Sequence, residues 1–133
     1  MPRLPLRLDH RSPSIIVPLT GATAAELDVQ VAALGDAPVN AAEWRVDLYE
    51  PFTATADPAV AVDALGRLAG ALPDVPVLAT FRTTAEGGDA ALGDEAYVEL
   101  VSALASSGLA DAVDVEYRHP LAAEALAAAH AHG

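Results

Sequence analysis

One pattern recurs four times after residue 13: a short β-branched run, a loop, then an Ala/Leu-rich stretch with helical spacing. The first unit is Ser14-Ile15-Ile16-Val17-Pro18-Leu19, followed by a helix from about Ala24 to Leu34. Thr23 and Glu26 have capping-box spacing at its start, and Leu27, Val31 and Leu34 make its buried stripe. The second unit places a strand near Ala42 to Leu48 and a helix from about Pro58 to Leu72. Asp57 is its N-cap, Pro58 its first residue, and Val62, Leu65, Leu68, Ala69 and Leu72 its apolar face. The third strand runs from Pro76 to Arg82. Its helix extends from about Glu95 to Ser106, with Asp94 as cap and Gly108 as a left-handed stop. The fourth strand is Ala112 to Tyr117, before a helix from about Pro120 to Ala131.

Strands that alternate with helices imply a parallel sheet with right-handed crossovers. Two α/β architectures satisfy this: a small doubly wound sheet, complete in itself, or half of a (β/α)₈ barrel. A full barrel takes about 250 residues, and 133 residues end where a fifth strand is expected. Periodicity does not separate the two. The strand faces do.

Central parallel strands are covered on both sides and read as nearly continuous Val, Ile and Leu. The first strand obeys this rule. In the second, Glu43, Arg45 and Asp47 share one face, opposite Trp44, Val46 and Leu48. In the third, Leu78, Thr80 and Arg82 oppose Val77, Ala79 and Phe81; in the fourth, Asp114 and Glu116 oppose Val113, Val115 and Tyr117. Such alternation also describes a half-exposed sheet with a solvated outer face. Solvated faces belong mainly to antiparallel sheets, however, and here three successive crossover-connected strands agree in sense. Apolar faces packed on helices leave the charges converging on the other side of the sheet, inside a barrel. A buried charge needs a partner, solvent or a ligand. At the C-terminal ends of barrel strands, that describes an active site. Glu43, Asp47, Asp114 and Glu116 outnumber Arg45 and Arg82, and the two arginines suit a ligand rich in oxygen.

The loop after the third strand, Thr83-Thr84-Ala85-Glu86-Gly87-Gly88-Asp89, has the composition of an ordinary turn. It also has a glycine pair that permits close approach or closure over a substrate, with Glu86 at the mouth beside Arg82. The histidines carry less. His130 and His132 are two apart and face different directions on a helix; His119 precedes Pro120 at a helix start, and His10 lies in the N-terminal arm. None is assigned to metal or catalysis. No phosphate loop, nucleophile elbow or metal-binding histidine pair occurs.

The remaining composition works by exclusion. A net charge of −12 argues against nucleic acid or an anionic membrane as partner. With no cysteine, disulfides, thiolate metal sites and cysteine nucleophiles are ruled out. The basic residues are Arg3, Arg7, Arg11, Arg45, Arg67, Arg82 and Arg118, so the chain contains no lysine. Residues 1–13 form a loose basic arm in which Pro5 and Arg7 interrupt any signal-peptide core. Residues 14–133 form the βα units. No segment is long and apolar enough to span a bilayer, and a cytoplasmic location is expected.

Together, Ile15-Ile16-Val17-Pro18-Leu19, Glu43-Trp44-Arg45-Val46-Asp47, Thr80-Phe81-Arg82-Thr83, Glu86-Gly87-Gly88 and Asp114-Val115-Glu116 resemble type I 3-dehydroquinate dehydratase. Each motif alone is weak, but five in order at matching spacing are specific. The resemblance runs from near Pro13 to the last residue. It implies a (β/α)₈ TIM barrel, of which this chain carries the N-terminal half. It also implies a hydro-lyase of the shikimate pathway of aromatic amino acid biosynthesis, converting 3-dehydroquinate to 3-dehydroshikimate and water with no metal or organic cofactor. In such enzymes a lysine forms an iminium (Schiff base) with the substrate ketone and a histidine moves protons. Carried over, Glu43, Arg45 and Arg82 bind substrate hydroxyls, Glu86 orients and tunes the catalytic histidine, and Asp114 and Glu116 support the site electrostatically. A homodimer is the family expectation.

The same resemblance places the histidine in the fifth strand and the lysine in the sixth. The chain by itself is therefore expected to grip substrate without forming the imine. Three settings accommodate that: a fragment of a working dehydratase, a non-catalytic sugar-acid-binding or interaction module, or an assembly completed by a second polypeptide.

Overall fold

The computed structural model describes residues 5–133; residues 1–4, including Arg3 of the expected arm, lie outside the described residues. Four strands form one parallel sheet: β1 (Ile16–Leu19), β2 (Ala41–Arg45), β3 (Val77–Thr80) and β4 (Ala112–Val113). Their order is β1-β2-β3-β4, so neighbours in sequence are neighbours in the sheet. A doubly wound sheet reverses its strand order at a switch point, and this one does not. Right-handed crossovers that always advance in one direction leave every helix on the same side. The sequential order is that of a barrel wall, and it decides between the two architectures left open by periodicity.

The helices are α1 (Ala24–Leu34), α2 (Glu50–Thr53), α3 (Pro58–Ala71), α4 (Asp94–Ser106) and α5 (Ala122–His130). At α1 the Thr23 hydroxyl accepts from the Glu26 backbone N–H at 3.2 Å, and the Glu26 carboxylate accepts from Ala22 at 2.6 Å. This is the expected capping box with its return bond displaced by one residue. Asp57 caps α3 by accepting from Ala59 at 2.9 Å, with Pro58 in the first turn. Helix α4 is capped by Gly93 rather than Asp94, which is its first residue and is suited there to the positive end of the helix dipole. Gly108, at φ +67°, stops the chain just past α4 in the left-handed region, as expected.

The core lies between the sheet and the helix layer. Trp44, Val46, Val77, Ala79 and Phe81 meet Leu65 and Leu68 of α3 and Tyr97, Leu100 and Leu104 of α4, all buried. Phe52 on Phe81 (6.0 Å between ring centres) and Phe81 on Tyr97 (6.4 Å) are edge-to-face pairs. On α3, Ala61 and Ala64 are buried while Val62 is half-exposed, so the buried face is rotated from the expected one.

Strands two to four end sooner than their alternation suggests. The β2–β3 ladder stops at Arg45 opposite Thr80, and Val46–Leu48 is a 3₁₀ turn leading into the short α2, which sequence periodicity did not reveal. Beyond β4, Asp114 donates one further backbone bond to Ala79 (2.9 Å) before the chain turns. Tyr117, expected on the apolar face with Val113 and Val115, is instead 91% exposed, because the alternation no longer applies past Glu116. The reason is common to these strands. A period of two persists through tight turns, but a strand exists only where a neighbour's backbone is within hydrogen-bonding reach.

Phe52→Ala should therefore cost about 3–5 kcal/mol in urea unfolding, as for a fully buried aromatic. Tyr117→Ala should change stability by no more than about 0.5 kcal/mol. Equal effects at the two positions would contradict this packing.

Candidate active site

The C-terminal ends of β2, β3 and β4 bring the charged residues together. Arg45, the last residue of β2, donates Nε and Nη2 to the carboxylate of Asp47 at 2.8 and 2.7 Å. This fork fixes the guanidinium plane. Burial would lower the Arg45 pKa, but the Asp47 bond outweighs it and holds the group above its ordinary value. The Asp47 side chain is fully buried, and its Oδ1 also accepts the backbone N–H of Arg82 at 3.1 Å.

Thr83, the next residue, is held from the other side. Its backbone N–H donates to Glu116 Oε1 at 2.7 Å and its hydroxyl to Oε2 at 2.9 Å. Glu116 is also buried, and its own N–H donates to the Tyr97 hydroxyl at 3.0 Å. Tyr97 in turn stacks on His119 at 4.1 Å, and burial raises the Tyr97 pKa. His119 accepts from Leu121 through Nδ1 at 3.1 Å and places Nε2 3.5 Å from Asp94, so it anchors the start of α5, as its place before Pro120 suggested.

Arg82 extends from this anchored backbone with Nη1 3.2 Å from Glu86, 3.6 Å from Asp114 and 4.0 Å from Glu116. Glu86 therefore stands beside Arg82, on a 3₁₀ turn (Thr84–Glu86) closed by Gly87 in the left-handed region at φ +90°. Gly88 returns onto the strand end, donating to the Thr83 carbonyl at 2.8 Å. A Cβ there would lie within 2.6 Å of the Arg82 carbonyl carbon and overlap its oxygen, so this close approach admits only glycine. The loop's glycine pair thus has two separate causes, a left-handed turn and a backbone contact.

Glu43 lies on the same face as Arg45, adds its charge to the burial that raises the pKa of Asp114, and its carboxylate has no hydrogen bond among the described residues. The Arg45 Nη1 and Arg82 Nη2 groups likewise have no partner among the described residues. The buried Thr80 hydroxyl and Asp114 Oδ1 also lack a hydrogen-bond partner. Beside Glu86, a recess of about 550 Å³ is bounded by the Thr83–Glu86 turn, Leu92 and the 116–120 segment. No cluster of three metal-ligating side chains occurs among the described residues, and no helix there is long and apolar enough to cross a membrane.

Of the four expected site residues, Arg45, Arg82 and Glu86 thus lie at the C-terminal end of the sheet, and Glu43, midway along β2, shares the face of Arg45. The anchoring roles of Asp47, Glu116 and Tyr97 are additions. Asp47 and Glu116 were visible as charges on strand faces, but their backbone partners are distant in sequence; Tyr97 carried no signal beyond its helical spacing.

Burial raises the Asp114 pKa and the Arg82 charge only partly offsets it. Asp114 therefore favours folding most when protonated, and this contribution is lost as pH rises from the unfolded value near 3.8 through the folded one. Asp114→Asn should raise the melting temperature at pH 7, with the gain shrinking as pH falls toward 4. A gap that does not change with pH would contradict the buried environment.

The family model for type I 3-dehydroquinase matches residues 15–133. The 3-dehydroquinate dehydratase of Listeria monocytogenes serotype 4b (strain F2365) is 42% identical over 105 residues, covering 79% of this chain and 40% of the relative. That of Lactiplantibacillus plantarum is 36% identical over 129 residues, covering 96% and 50%. The solved type I 3-dehydroquinate dehydratase of Clostridium difficile, with covalently modified comenic acid, superposes with TM-score 0.82 at 30% identity, over 90% of this chain and 46% of that one. The Enterococcus faecalis enzyme gives TM-score 0.76 at 33% identity, over 88% and 50%. The chain spans about half the length of these relatives. On the family match and the half-barrel fold together, it belongs to the type I 3-dehydroquinase family.

Proposed function

We propose that this chain supplies the hydroxyl-binding half of a 3-dehydroquinate dehydratase site. The observation that carries the reading is the meeting of Arg45 and Arg82 at the C-terminal ends of adjacent strands, with Glu43 on the Arg45 face of β2, each with unused hydrogen-bonding capacity. Arg45 and Arg82 already face carboxylates, so their spare N–H groups suit neutral hydroxyls better than a second anion. A substrate carboxylate placed here would meet Glu43, Glu86 and Asp114, and like charges at short range oppose it. The hydroxylated edge of 3-dehydroquinate fits, and its carboxylate belongs elsewhere.

Glu43 accepts from substrate hydroxyls while Arg45 and Arg82 donate to them. Glu86, held by Arg82, orients and tunes a catalytic histidine. Family membership supports the dehydration step of the shikimate pathway; in the proposed reaction water leaves through a Schiff base, in a cytoplasmic homodimer. The lysine and histidine of that chemistry come, in the family, from the fifth and sixth strands, outside the four described here. No lysine occurs in this sequence, so these residues hold the substrate and do not capture its ketone through a side-chain amine. The same hydroxyl-binding groups would serve a second reading, a sugar-acid-binding module without chemistry.

Titration calorimetry with 3-dehydroquinate should show binding that Arg82→Ala weakens about 10–100-fold, the loss of one hydrogen bond to a charged group. Undetectable binding by the unaltered chain counts against both readings. Borohydride reduction with dehydroquinate, followed by intact-mass analysis, should leave the mass unchanged. A covalent adduct would sink the claim that the chain grips substrate without forming the imine.

A further inference from the structure

We propose that Asp47 is a positioning residue that sets the two arginines of the site relative to each other, an inference resting on the reading of Arg45 and Arg82 as substrate ligands. Asp47 cannot serve a ligand directly. Its side chain is fully buried, and its oxygens accept from Arg45 Nε (2.8 Å), Arg45 Nη2 (2.7 Å) and the Arg82 backbone N–H (3.1 Å). A carboxylate withdrawn from water is held at low cost only when its acceptor positions are filled in this way.

One oxygen, Oδ1, takes both the Arg45 side chain from β2 and the Arg82 main chain beyond β3. It does so just past the point where the β2–β3 ladder ends, at Arg45 opposite Thr80. No backbone bond ties the two strands there, and the carboxylate takes over the spacing. The fork on Arg45 also leaves its Nη1 free while removing rotation about the plane. Displacement of Asp47 would shift Arg45 and the root of Arg82 together. A simple fold anchor would need the Arg82 bond but not the fork, and this difference makes the proposal testable.

Nuclear magnetic resonance of the arginine Nε–H groups and backbone amides reads the geometry without a ligand. In the unaltered chain, Arg45 Nε–H should exchange at least about tenfold more slowly than that of exposed Arg118, and the Arg82 amide should be protected. Asp47→Asn should keep most Arg82 protection while Arg45 Nε–H exchange accelerates; Asp47→Ala should lose both. In calorimetry, Asp47→Asn should weaken dehydroquinate binding about tenfold, and adding it to Arg45→Ala should cost nothing further. Fast Arg45 exchange in the unaltered chain overturns the proposal, and this comparison stands even where a variant does not fold. Undiminished binding by Asp47→Asn overturns it equally, leaving Asp47 a fold anchor. If the unaltered chain binds no dehydroquinate, the proposed function fails, while the exchange measurements still decide the role of Asp47 in geometry.

Discussion

The candidate site depends on two buried carboxylates that take over where a β-ladder runs out. Past Thr80 the backbone N–H groups of Arg82 and Thr83 have no strand neighbour, and Asp47 and Glu116 accept them from opposite sides. A buried donor without a partner costs about 1–3 kcal/mol, so the end of β3 would otherwise be a weak point. Through these bonds it becomes a fixed one, and Arg82 projects from it. The turn carrying Glu86 folds back onto the same segment through Gly88. Site geometry and local stability therefore have the same cause.

This arrangement accounts for an apparent imbalance of charge. The carboxylates on the inner face outnumber the guanidiniums, which for a binding site alone would be unfavourable. Asp47 and Glu116, however, are committed to the backbone and to Arg45, and Asp114 lies 3.6 Å from the Arg82 guanidinium. What remains open toward a ligand is Glu43 and the spare edges of Arg45 and Arg82, with Glu86 beside Arg82. That set can donate to and accept from hydroxyls without gathering further anionic charge.

On the opposite side of the sheet the aromatic run Phe52, Phe81, Tyr97 and His119 links the core to the site. Tyr97 presents its ring to the core and its hydroxyl to the Glu116 backbone, the usual division of labour for a buried tyrosine. His119 covers Tyr97 and starts α5. The β4–α5 connection is thereby tied to the end of β3.

The sequence by itself determined the succession of βα units, the helix starts at Thr23 and Asp57, and the faces on which Glu43, Arg45 and Arg82 lie. These are local matters of period, capping chemistry and side-chain alternation, set within a few residues. The motifs around those charges also carried the family resemblance. Only the tertiary structure decided where each strand ends, that Val46–Leu48 turns into a short helix, and that Tyr117 faces solvent. It alone revealed that Asp47 serves Arg82, 35 residues away, and Glu116 serves Thr83, 33 residues away. Backbone pairing is satisfied between distant segments, and a period of two looks the same in the sequence whether or not a neighbouring strand is there to receive it.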